Sequence, residues 1–196
     1  MGKLDQRIIH DTFKFIASRN NQTGDNICYS INLSGNSLND ENLSHYIKEK
    51  LDEFKIKASN ICFEITETAA ISNLHFAKKL MEDLKSFGCL FALDDFGSGL
   101  SSFEYLKNLP VDYLKIDGCF VRDMVNNKID HAMVAAINQV GHIMGIKTIA
   151  EFACSEHIVR RLKQMGVDYA QGFAVGKPVA ITEYQRDKAG SENNLV

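Results

Sequence analysis

Six short apolar runs, each closed by polar residues and separated from the next by a segment of helical spacing, constrain this chain more than any other feature. They lie at residues 27–33, 61–66, 89–95, 111–117, 146–152 and 167–173. Runs this short, bounded by turn residues, read as buried strands. Helical periodicity occupies 4–17, 40–54, 72–87, 101–108, 130–144 and 156–165, with Ser72 as the expected cap of the third helix, Gly88 as its stop and a closing helix expected from Ile181. Strands alternating with helices imply a parallel sheet with helices outside it. An open doubly wound sheet and a (β/α)8 barrel both fit that pattern. Polar residues stand at the C-terminal ends of all six runs: Asn32, Glu64, Asp94 with Asp95, Asp117, Glu151 and Gln171. A barrel opens every such end onto one face, whereas an open sheet gathers its ligand groups at one switch point. The expected fold class is therefore α/β, a TIM-type barrel with about six βα units, two short of the full eight.

The chain has 196 residues, enough for one domain with a sizeable core, and its 45% hydrophobic and 24% charged residues are those of a globular protein. A net charge of −3 argues against a nucleic-acid polymer as partner, since that surface would be basic. Five cysteines without a CxxC pattern or a Cys/His cluster read as free thiols in a reducing compartment. No run is long enough to span a membrane and no signal peptide opens the chain, so a cytoplasmic location is expected. The residues 188–196 form a polar tail, leaving 1–187 as the domain.

The densest chemistry lies in FALDDFGSGLSS, residues 91–102, where a buried strand runs into two adjacent carboxylates, Asp94 and Asp95. Two ionised carboxylates there repel each other and need compensation. One bland account has one Asp capping the following helix and the other solvated. The convergent set Asn32, Glu64, Asp94, Asp95 and Glu151 favours another account, because an all-oxygen set selects Mg²⁺, Mn²⁺ or Ca²⁺. Five such ligands suit two ions, the arrangement that hydrolyses phosphodiesters by in-line attack. Neighbouring strand residues point to opposite faces, so Asp94 and Asp95 both reach metal only if the strand ends between them. Lys115 and Asp117, two apart, share a strand face; Lys115 either reaches a phosphate oxygen or a metal-bound water, or forms a structural pair with Asp117. The six histidines are scattered over the helices, and Phe96 reads as core.

The blocks INLS, EITET, LDDFGSGLSS, LPVDYLKID, IAEF and DYAQGF, in this order, resemble the EAL family of cyclic di-GMP phosphodiesterases over residues 4–181. The resemblance implies a modified TIM barrel that cuts cyclic di-GMP to linear pGpG with two Mg²⁺ or Mn²⁺ ions. It implies that Asn32, Glu64 and Asp94 hold one metal, that Asp94 bridges and that Asp95 helps hold the second. Lys115 and Glu151 would bind or activate the attacking water, with Glu151 the general base; Gln171 and Asp117 would line the pocket, and Glu67 would brace the loop 96–102. Homodimers are expected of such domains. Two departures stand out. The Glu-Ala-Leu motif belongs upstream of Leu4 and is absent, so this chain is expected to be weak or inactive. The family's E-x-x-E reads Glu151-Phe152-Ala153-Cys154. Both departures leave open a non-catalytic cyclic di-GMP receptor or protein-interaction module.

Overall fold

The computed structural model describes residues 2–19, 27–99 and 103–180. The chain divides into two compact units, Met1–Asp94 with Gly99–Tyr113, and Asp95–Ser98 with Leu114–Val196. The expected closing helix, the tail and Ser101–Ser102 at the start of the fourth expected helix lie outside the described residues.

In the first unit α1 (Gly2–Arg19) buries Ile9, Phe13 and Ile16 and packs against α2 (Leu43–Phe54), whose inner face is Leu43, Ile47 and Leu51. The apolar residues recur three or four apart, as a one-faced helix requires. Strands β1 (Tyr29–Asn32), β2 (Ile61–Thr66) and β3 (Leu90–Phe96) are parallel neighbours. The first five residues of β2 are all buried, the signature of a strand covered on both faces. Phe63 and Phe91 are fully buried and their rings sit 5.8 Å apart; each contributes roughly 2–3 kcal/mol on leaving water.

Two helices follow β2 where one is expected from the periodicity. Thr66 accepts the Ala69 N–H and caps the short α3 (Glu67–Ser72), so Glu67 opens a helix instead of closing a strand. Ser72 is therefore the end of α3 and not the cap of α4 (Leu74–Phe87). α4 stops where expected, at Gly88 with φ 108°, whose N–H reaches the Leu84 and Lys85 carbonyls. α5 (Phe103–Leu106) completes the unit.

The second unit holds β4 (Tyr113–Ile116) from Leu114 on, α6 (Gly118–Val121), α7 (Lys128–Ile143), β5 (Lys147–Ala150), α8 (Glu156–Gln164) and β6 (Tyr169–Ala170). Its core is Leu114, Ile116, Val134, Ile137, Ala150, Ile158 and Leu162. Asn127 and Ser155 cap α7 and α8 through their side-chain oxygens.

Strand order follows chain order, β1-β2-β3-β4-β5-β6. A doubly wound sheet reverses its order at a switch point, whereas successive right-handed βαβ units place each strand beside the last. The fold class is thus α/β, with six strands in barrel order and helices between them among the described residues.

Candidate functional site

Register places the first three candidates. Asn32 is the partner of Glu64, Glu64 that of Ala92, and Thr66 that of Asp94. Register partners on parallel strands share a face, and so do residues two apart. Asn32, Glu64 and Asp94 therefore project from one face at the C-terminal ends of three adjacent strands. Glu64 is 6% and Asp94 9% exposed. Carboxylates so withdrawn from water call for cationic or hydrogen-bonding partners, and an amide oxygen beside two carboxylates is a donor set for a hard divalent ion.

Glu67 is buried at the start of α3 and accepts a hydrogen bond from the Tyr105 hydroxyl on α5. Burial first, then the Glu67 carboxylate, holds the Tyr105 phenol well above its ordinary range.

In the second unit the Lys115 Nζ meets the Glu151 carboxylate at 2.9 Å, and Lys115 is 3% exposed. Lys115 thus pairs with Glu151, a residue that a shared strand face with Asp117 does not point to. Asp117 instead caps α6, its carboxylate accepting the Cys119 N–H at 2.6 Å. Glu151 lies one residue past β5, its N–H bonded to the Ile116 carbonyl at 3.1 Å. Gln171 lies one residue past β6 with an exposed side chain; its N–H reaches the Ala150 carbonyl at 2.8 Å and its own carbonyl accepts the Ala153 N–H at 3.0 Å.

Asp95 and Glu151 offer carboxylate oxygens within 4.8 Å of each other. β3 does not end between Asp94 and Asp95; it continues through Phe96. What breaks the alternation is Asp95 itself, at φ 55° in the left-handed region. Gly97 follows at φ 97°, with the Phe120 ring 2.9 Å from where a Cβ would stand, so it serves packing and turn geometry. Phe96 is core, 1% exposed.

Sequence reasoning missed Tyr105, whose only signal is its position after the loop, and the stacked pair Phe152–Arg122 beside Glu151. The expected strand ran through Phe152, but β5 stops at Ala150. The five cysteines are free, with Cys62 and Cys89 buried and Cys28, Cys119 and Cys154 exposed.

A parallel α/β chain of barrel order, with oxygen donors at the C-terminal ends of strands in each unit, defines a TIM-barrel-type protein. The chain belongs to the EAL domain family, whose model matches residues 1–178. It is 46% identical over 184 residues to cyclic di-GMP phosphodiesterase PdeB of Shewanella oneidensis, covering 94% of this chain and 21% of that protein. Among solved structures it resembles the EAL domain of Mycobacterium smegmatis DcpA (TM-score 0.87, 31% identity, 93% of this chain and 82% of that one). It also resembles the PaMucR phosphodiesterase in complex with c-di-GMP (TM-score 0.85, 27% identity, 90% and 71%). The chain spans about a fifth of the length of the curated relatives it matches.

Proposed function

We propose that this chain is a phosphodiesterase domain that hydrolyses cyclic di-GMP to linear pGpG. The observation that carries the reading is the register that puts Asn32, Glu64 and Asp94 on one face, in a family whose named relatives act on this dinucleotide. The donor set fits two divalent ions, Mg²⁺ or Mn²⁺: Asn32, Glu64 and Asp94 would hold one, with Asp94 shared and Asp95 and Glu151 serving the other. Such ions polarise a phosphoryl oxygen and acidify a bound water. The chain's own residues do the rest. Glu151 accepts the proton of the attacking water as its oxygen bonds to phosphorus and the bond to the 3′ oxygen breaks. Lys115 fixes the orientation of Glu151 and faces the phosphate. Gln171 and Asp117 line the pocket for the nucleotide, and Glu67, through Tyr105, braces the 96–102 loop.

The domain extends over 1–187 with a polar tail at 188–196, works in the cytoplasm and forms a homodimer. No helix among the described residues is long and apolar enough to cross a membrane.

Cys154, exposed where the family's second Glu stands, favours a second reading: a receptor that binds cyclic di-GMP without turning it over. Calorimetry and product analysis on one sample separate the two, with the chain measured alone and with a Glu-Ala-Leu segment supplied ahead of Leu4. Appearance of pGpG supports the enzyme. Binding without product supports the receptor, and neither binding nor product overturns both.

A further inference from the structure

Three non-glycine residues among those described have positive φ: Lys55 at 53°, which ends α2, Asp95 at 55° and Phe152 at 52°. The left-handed region is unfavourable for an L-residue with a Cβ, so a phenylalanine there must be held. Phe152 is held on two sides. Its ring lies so close over Gly118 that a Cβ on that glycine would come within 2.1 Å of it. The guanidinium of Arg122, an exposed residue, stacks 4.1 Å from the ring centroid, an attractive cation–ring contact. The residues on either side are anchored apart, Glu151 N–H to the Ile116 carbonyl at the end of β4 and Ala153 N–H to the Gln171 carbonyl just past β6. Phe152 is thus the turned residue between two fixed ones, and its φ sets the angle between the peptide that follows Glu151 and the one that precedes Ala153. That side chain reaches Lys115 at 2.9 Å.

We propose that Phe152 is a positioning residue: its ring, clamped between Gly118 and Arg122, keeps the left-handed turn that aims the Glu151 carboxylate at Lys115. The consequence for catalysis rests on Glu151 being the proton acceptor of the function proposed above; the positioning itself does not.

The test is the side-chain ammonium signal of Lys115 in proton–nitrogen NMR of this chain, which a buried, paired lysine shows and a freely exchanging one does not. Phe152→Ala keeps a Cβ but removes the clamp, so the turn relaxes to negative φ and the signal is lost. Phe152→Gly tolerates the left-handed turn and retains the signal in part, and Phe152→Tyr keeps the ring and restores it. Arg122→Gln, a surface change that leaves folding intact, weakens it. Ordinary packing would make glycine worse than alanine, the reverse order. An unchanged signal in Phe152→Ala and Arg122→Gln, or no signal in the wild type, overturns the proposal. If cyclic di-GMP hydrolysis is measurable, kcat falls in the same order with KM little moved, on the order of 100-fold for alanine. Absence of hydrolysis in every form, even with the Glu-Ala-Leu segment supplied ahead of Leu4, and with the NMR order intact, refutes the phosphodiesterase reading and leaves the positioning standing.

Discussion

Lys115 on β4 and Glu151 just past β5 form an ion pair of 2.9 Å, their side chains only 4% and 13% exposed. Removing one partner of such a pair strands the other charge in a poorly solvated place, whereas replacing both can be nearly neutral.

Lys115→Met is therefore expected to lower unfolding free energy by about 3 kcal/mol, and Lys115→Met with Glu151→Gln to recover most of that loss. Activity should vanish in both. Denaturant melts beside turnover assays check this; recovery of activity in the double variant would contradict the roles given to the pair.

A second prediction concerns acid stability. Burial pushes the Asp168 carboxyl up, but the Thr148 N–H at 2.8 Å, the His142 ring nitrogen at 2.8 Å and the Thr148 hydroxyl at 3.1 Å bring it below its ordinary value. A depressed carboxyl contributes stability that is full above its unfolded pKa, about 3.9, and is lost as pH falls through the lower folded value. Asp168→Asn should cost about 1 kcal/mol at neutral pH and flatten the acid limb of a stability–pH curve. A limb unchanged below pH 4 would speak against the assignment.

Tyr105→Phe removes the hydroxyl that Glu67 accepts. The expected loss is about 1–3 kcal/mol, because Glu67 is buried and gives up a hydrogen bond. If Glu67 braces the loop after the aspartate pair, turnover should fall more than the loss of folded protein explains. Equal falls in both would reduce the pair to a structural contact.

Among the described residues β1 and β6 end the strand order, and the edges of parallel strands invite pairing with another chain. Self-association is therefore expected, and light scattering over a concentration series checks it. A monomeric mass at every concentration, with a cooperative melt, would favour the other account, in which α1 covers the edge.

The strands were legible because buried apolar runs bounded by turns leave few alternatives; β2 falls at 61–66, as its composition implies. The two short helices α3 and α6 were not. Four to six residues carry no periodicity, and their caps, Thr66 and Asp117, read equally well as strand ends. The choice between Asp117 and Glu151 as partner of Lys115 was likewise closed to the sequence, because strand spacing reveals a shared face but not which neighbouring strand supplies the countercharge. The left-handed Phe152 follows from tertiary packing, against the local preference of a bulky residue.

The most direct measurement is Mn²⁺-dependent conversion of cyclic di-GMP to pGpG by the chain supplied with the Glu-Ala-Leu segment, compared with its Asp94→Ala variant. The register that aligns Asp94 with Asn32 and Glu64 predicts pGpG from the parent. In the variant the rate should fall by about two orders of magnitude or more, as a misplaced reacting centre does. Undiminished turnover in Asp94→Ala, or no pGpG from the parent at any Mn²⁺ concentration, would contradict the account.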